Sequence, residues 1–294
     1  MSHYSATRPA HESISNMPVS SPYTDGVPAV SHLAVDYLGR VLASRQPDAV
    51  VYSASTIKLA VLIAAMRQVD AGRLSLDQPV TVKEQFRSRI AGAGAFTFEA
   101  DEVDRGMPPS GSTVTLDEAL GRMVYASSNS GTNMVLELTG MDAVADALDL
   151  CGAKSSKLER LISDHAARDA GFTHQTTAGD LVRIMQAITT GSVAKPQSTE
   201  FMLTQLRRQQ HPVIGAELPP STDWGSKSGW VDGIHHDVAF VGRPDAPGSY
   251  LLAVCTQGYE QAQAVEVISS VTAAVHASSG NPSGHTEFWP GTVA

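Results

Sequence analysis

The sequence predicts an α+β protein in which a sheet domain is interrupted by an all-helical one. Three observations carry this. Alternating segments rich in β-branched residues lie at both ends of the folded part, a long stretch of helical periodicity separates them, and one more helix follows the last strand. Residues 31–37 alternate, Gly39-Arg40 turns the chain and Val41 resumes the pattern, which predicts a hairpin. At Ser55 the period changes: Ile57, Leu59, Ala60, Leu62, Ile63, Met66 and Val69 recur at helical spacing, and Gly72 suits the position just past a helix end. Further helices are predicted over 116–126, 129–139, 141–150, 178–190 and 198–209. Beyond Pro219-Pro220, strands return at 224–231, 237–241 and 250–256, and a helix over 261–276 closes the fold. The sheet domain then takes 26–52 and 205–278, and the helical domain takes 53–204. Residues 1–25 and 279–294, rich in Ser, Pro, Gly and His without periodicity, are expected to be flexible tails, with Phe288 and Trp289 able to dock.

Composition removes several functions. Lys and Arg number 21 against 30 Asp and Glu, a formal net charge of −9. A nucleic-acid binder or a polybasic membrane-surface protein needs the opposite balance. The longest apolar run, 59–66, falls far short of the roughly 18 residues that span a bilayer, so no membrane segment is expected. Residues 1–25 hold no apolar core of the ~7–15 residues that a signal peptide needs, which predicts a cytoplasmic protein. Cys151 and Cys255 share no metal-ligand spacing and read as two small buried hydrophobes. The chain has no H-E-x-x-H, P-loop, dinucleotide fingerprint or G-x-S-x-G, so neither metal nor cofactor is expected.

Three short motifs carry the chemistry. Ser55-Thr-Ile-Lys58 heads an apolar helix, and a separation of three puts serine and lysine on one face. Serine needs a base to become nucleophilic, and a lysine serves once burial lowers its pKa. A capping serine followed by a solvated lysine would look the same, and Ser192-Val-Ala-Lys195 shows how common the pattern is. Ser127-Ser128-Asn129 lies between two helices, where a hydroxyl can relay a proton and an amide can hold a substrate carbonyl or a lysine. An ordinary helix cap is the alternative. Lys227-Ser228-Gly229 lies on a predicted strand, suited either to a substrate carboxylate or to guarding a sheet edge.

In this order and in these contexts, the three motifs match those of class A β-lactamases and penicillin-binding proteins. The resemblance extends through Tyr52–Lys58, 70–76, 123–140, Thr176-Thr-Ala-Gly-Asp180 and 227–241, covering roughly residues 30–276. It implies a β-lactamase-like fold, with an antiparallel five-stranded sheet flanked by helices and an all-helical domain. It implies Ser55 as the acylated nucleophile and Lys58 as its base or proton shuttle. Ser127 would pass a proton to the leaving group, Asn129 would orient substrate, and Lys227 and Ser228 would hold a carboxylate. Gly229 would let a ligand lie against the strand, and the backbone N–H groups of Ser55 and Trp230 would form the oxyanion hole. The implied partner is a small-molecule amide, ester or lactam.

The chain departs from that pattern in two places. The E-x-x-L-N loop of class A enzymes, whose glutamate activates the deacylating water, has no counterpart in residues 158–177. Glu159, Asp164 and Asp169 are the carboxylates nearby. Asp164 is nominated because Arg160-x-x-x-Asp164 resembles related serine hydrolases, either as the deacylating base or as a salt bridge holding the loop. Ser128 replaces the aspartate usual in the second motif. Residues 96–110 read as an insertion able to line the site mouth. Of His235 and His236, at most one can face the site, because successive strand residues point to opposite sides. Three functions remain in view: a hydrolase or transacylase, a β-lactamase proper, and a penicillin-recognising module that does not turn over.

Overall fold

A computed structural model describes residues 19–279 and Trp289. The chain runs β1 (Ala29–Asp36), β2 (Val41–Arg45), β3 (Val51–Tyr52), α1 (Lys58–Asp70), β4 (Pro79–Thr81), β5 (Gln85–Arg87), β6 (Ala95–Thr97) and β7 (Thr113–Thr115). It continues through α2 (Leu116–Tyr125), α3 (Asn129–Thr139), α4 (Met141–Leu150), β8 (Lys157–Leu158), α5 (His165–Asp169), β9 (His174–Thr176), α6 (Ala178–Thr189) and α7 (Pro196–Arg207). The last elements are β10 (Trp224–Val231), β11 (Ile234–Val241), β12 (Tyr250–Gln257) and α8 (Gln261–Ser279).

The main sheet has five strands in the order β10-β11-β12-β1-β2, every neighbour antiparallel. The first hairpin therefore joins the sheet beside its last strand, with Ala29 opposite Gln257 and Asp36 opposite Tyr250. Helices α1–α7 are inserted between β2 and β10. Helix α8 packs on β11 and β12, while α6 packs on β1, β11 and β12.

Helix α1 is the axis of the inserted part. Residues Lys58–Met66 are all buried, the mark of a helix surrounded by protein rather than lying on a surface. It packs against α2, α3, α4, α6 and α7. Gly72 follows at φ +69°, the left-handed conformation that ends a helix and that glycine adopts without a Cβ penalty. Side-chain caps set the starts of the helices around the site: Thr115 for α2, Ser128 for α3, Asp164 for α5 and Thr177 for α6. Each accepts a backbone N–H that the first turn leaves open.

Strand β11 begins at Ile234, three residues before the predicted start, because His235 and His236 pair with Trp230 and Gly229 of β10. Strands β3 to β9 and helix α5 had no periodic signal. Elements of two to five residues are too short to show a period and exist here through pairing or capping.

Parts of both expected tails lie on the fold. The Tyr23 ring packs on Tyr52 with centroids 4.2 Å apart, and Ser21 pairs with Thr24. The Trp289 N–H donates to the Gly39 carbonyl at 2.9 Å, and its ring lies over the Arg183 guanidinium and against Gly179. Residues 1–18, Phe288 and the rest of the second tail lie outside the described residues. Cys151 and Cys255 are unpaired, half-buried and buried respectively, and burial pushes both thiols up to about 12. Among the described residues, no helix is long and apolar enough to cross a membrane.

Candidate active site

The Ser55 segment is held from two sides. A 3₁₀ turn, Ala54–Ile57, leads into α1, so Ser55 and Lys58 stand at the start of the buried central helix. Ala54 has φ +45°, a conformation that costs a non-glycine residue on the order of 1–3 kcal/mol and needs surrounding contacts to persist. One such contact comes from His236, whose Nε2 lies 2.8 Å from the carbonyl oxygen of Tyr52. The other comes from β10. A Cβ on Gly229 would lie 2.5 Å from the Ser55 nitrogen and 2.8 Å from that of Thr56. Only glycine lets this strand lie against the backbone of the serine, and Trp230, the next residue, lines the same cavity as Ser55.

Ser55 lines a cavity of about 940 Å³ together with Ser127, Asn129 and Trp230. Lys58 lies behind that wall, fully buried, and its Nζ donates to the Ser127 carbonyl at 2.7 Å and to Asn129 Oδ1 at 2.8 Å. Ser127 Oγ is 3.3 Å from the same nitrogen and 3.1 Å from Nζ of Lys227, which is also fully buried. Ser127 itself sits at φ +57°, a left-handed conformation that orients its carbonyl and hydroxyl together toward Lys58. One serine thus joins the two lysines, and the three motifs meet through it.

Electrostatics favour the neutral amine at Lys58. Burial, reinforced by the nearby Lys227 cation, holds its pKa well below the usual lysine value, while Glu102 and Asp104 oppose the shift. Burial lowers Lys227 to about 7, against the pull of Asp237. Asp237 is raised to about 6 by burial and accepts the N–H groups of Val213 and Ile214. A neutral Lys58 has two N–H donors and one lone pair. The two short bonds to Ser127 O and Asn129 Oδ1 use the donors and leave the lone pair for the third neighbour, Ser127 Oγ at 3.3 Å.

The remaining nominated residues are placed less directly. Ser228 is buried, with its hydroxyl unpaired and its carbonyl accepting from Lys227 Nζ at 2.6 Å. Asp164 is fully buried in the 158–177 loop, away from the cavity wall. Its Oδ1 accepts from Ser88 Oγ at 2.8 Å and from the Ala167 N–H at 3.1 Å, and its Oδ2 accepts from the Arg89 N–H at 3.0 Å. Arg160 does not reach it. That buried guanidinium donates instead to Tyr52 Oη and to the carbonyls of Phe172 and Leu161. Ser128 caps α3 through the Gly131 N–H.

Two further parts of the cavity correspond to the expected insertion and to the histidine pair after the third motif, while His211 carried no signal in the sequence. Residues Glu99–Gly106, within the expected insertion, form one wall, anchored by the Asp104–Arg122 pair. A Cβ at Gly106 would meet the Arg122 guanidinium, which would have to shift to make room. Opposite, the Trp230 ring lies between His211 and His235, with centroids 5.1 and 6.0 Å away. Burial lowers His235 to about 4, so it is neutral near pH 7. The two adjacent histidines therefore divide as strand alternation requires, His235 on the cavity and His236 against the Tyr52 carbonyl.

Gly229→Ala tests the close approach of β10. The added methyl meets backbone rather than a movable side-chain tip, so we expect a loss of about 1–3 kcal/mol in thermal or urea unfolding. A displacement of the strand by about 1 Å should also slow acylation on the order of 100-fold. Unchanged unfolding and acylation would show that the strand has room to spare.

Comparison with known proteins bears on the family and the fold. Among curated proteins none matches the chain. Of solved structures, a beta-lactamase from Sphaerobacter thermophilus DSM 20745 is similar at 26% identity and TM-score 0.73, over 87% of this chain and 93% of that one. PBP-A is similar at 21% identity and TM-score 0.70, over 85% and 89%. A beta lactamase from Xanthomonas campestris pv. campestris str. ATCC 33913 shares 18% identity at TM-score 0.71, over 85% and 92%. The last two show the same fold. The model of the beta-lactamase enzyme family matches residues 24–278, and with that span the chain belongs to this family of serine hydrolases.

Proposed function

We propose that this chain is a serine hydrolase or transacylase acting on a small-molecule amide, ester or lactam through an acyl-enzyme at Ser55. The observation that carries it is the hydrogen-bonded linkage of Lys58, Ser127 and Lys227, in which Ser127 lines the same cavity as Ser55. Neutral Lys58 takes the Ser55 proton as Oγ attacks the carbonyl carbon. The developing oxyanion is met by the N–H groups of Ser55 and Trp230, donors that typically supply ~3–4 kcal/mol. Ser127, bonded to both lysines, delivers a proton to the leaving group. Asn129 holds Lys58 and borders the substrate, while Lys227 with Ser228 attracts a substrate carboxylate. Gly229 keeps β10 against the serine. Asp164 we assign to holding the 158–177 loop, because it is fully buried and is not among the residues that line the cavity.

One solved relative supports an acyl-enzyme on this fold: PBP-A, as a leucine-to-glutamate variant, is described in an acyl-enzyme complex with penicillin G. The experiment is intact-protein mass spectrometry alongside steady-state assays, with p-nitrophenyl acetate and a chromogenic cephalosporin as probes. A single added acyl group on Ser55, released with turnover, is the expected result. Cleavage of the ester alone selects a general hydrolase, while cephalosporin turnover selects a β-lactamase. No adduct and no turnover with either probe rejects the proposal.

A further inference from the structure

We infer that Glu102, supplied by the 96–110 insertion rather than by the 158–177 loop, is the general base that activates water to clear the Ser55 acyl-enzyme. This rests on the acyl-enzyme reading above and extends it to the step for which the three motifs provide no group. Hydrolysis of the ester needs a base within reach of a water in the cavity, and a carboxylate is a suitable acceptor.

The structure narrows the choice among carboxylates. Six acidic residues line the cavity that holds Ser55: Glu99, Asp101, Glu102, Asp104, Asp232 and Glu260. Glu99, Asp101, Asp232 and Glu260 are exposed, whereas Glu102 and Asp104 are half-buried. The charges of the same two also oppose the lowering of the Lys58 pKa. Asp104 is committed elsewhere: it pairs with Arg122 through both oxygens and accepts the Gly106 N–H. Those partners hold its carboxyl below the usual range and make it a poor base.

Glu102 is left, and its environment orients it. Oε1 accepts from Ser163 Oγ, and Oε2 accepts from the Glu99 N–H at 3.1 Å. Ser163 is itself buried and held at φ +64°, an unusual conformation for serine. The residue before it is clamped from both sides, with the Ile162 N–H donating to Asn133 Oδ1 and the Ile162 carbonyl accepting from Asn133 Nδ2. Two opposing loops thus fix one carboxylate at the cavity wall and leave each oxygen a lone pair for water.

The step balances without a further reactant. Glu102 takes a proton from water as the water oxygen bonds the acyl carbon. The bond from that carbon to Ser55 Oγ then breaks with its electron pair on Oγ, which receives the proton. The products are the free acid and the original serine.

The test separates acylation from deacylation in Glu102→Gln. With p-nitrophenyl acetate, and with the chromogenic cephalosporin, the burst should keep its wild-type rate while steady-state turnover falls at least ~100-fold. Mass spectrometry should then show the acyl-enzyme persisting. Ser163→Ala, which keeps the carboxylate and removes the hydroxyl that orients it, should lower deacylation to a smaller extent and also spare the burst. Wild-type turnover in Glu102→Gln overturns the assignment and leaves Ser55 untouched. An equal fall in burst and steady state overturns it too, since Glu102 would then serve acylation or structure. A wild-type acyl-enzyme as long-lived as that of the variant also overturns it. If neither probe labels the wild-type protein at all, the Ser55 reading fails and Glu102 falls with it.

Discussion

Ser55→Ala is expected to abolish covalent labelling and turnover together while leaving unfolding within about 0.5 kcal/mol of the wild type. The side chain is only half-buried and lines the cavity, so its hydroxyl contributes little to the packed interior. Chemically its loss is total. Ser127, another hydroxyl that lines the cavity, is bonded to Lys58 and Lys227. Intact-protein mass spectrometry after exposure to p-nitrophenyl acetate checks this, and a site-specific adduct in the variant would transfer the nucleophile's role to another residue.

The second large effect belongs to Lys58→Ala, expected to slow acylation ~10²- to 10⁴-fold, the range over which positioned general bases act. The pH profile should distinguish loss of a base from loss of packing. Acylation in the wild type needs the unprotonated amine, so its rate rises with pH through the lowered pKa of Lys58 and then levels. The alanine variant should lose that rising limb. Lys227 adds a second limb of opposite sign. Its cation discharges above about 7, so affinity for a carboxylate-bearing cephalosporin should fall with rising pH there, while p-nitrophenyl acetate, which has no carboxylate, should show no such fall. Stopped-flow acylation rates followed across pH would read both limbs; a profile identical in wild type and variant would remove Lys58 from proton transfer.

Lys227 also affects stability. Its folded pKa lies below that of an unfolded lysine, so between about 7 and the ordinary lysine value the unfolded chain binds more protons than the folded one. Stability from this group therefore rises with pH across that window. The folded protein at neutral pH carries a destabilised lysine, a feature more common at functional sites than in structural cores.

Ser55, Lys58, Ser127, Asn129 and Lys227 were legible in sequence because each occupies a short motif on an element with its own period. α1, α3 and β10 announce themselves through apolar spacing, so the motifs could be placed on them before any contact was known. The bridging role of Ser127 was not legible, since a contact spanning 69 residues to Lys58 and 100 to Lys227 leaves no local trace. Glu102 and Ser163 were missed for the same reason, being an acidic residue and a serine in two loops without pattern. The Arg160-x-x-x-Asp164 spacing suggested a pair, yet each residue found partners outside its own loop. The five main strands and seven of the eight helices follow from periodicity; the short strands depend on partners far along the chain.

The pairing of β1 with β12 has a consequence for synthesis. As the polypeptide leaves the ribosome, the first hairpin emerges with one edge bare, and its neighbour is translated more than two hundred residues later. Helices α1–α7 can condense in the interval, since most of their contacts are with one another. The sheet cannot close until Tyr250–Gln257 is out, so the nascent chain carries an unpaired strand edge through most of translation, the stage at which a chaperone would matter most.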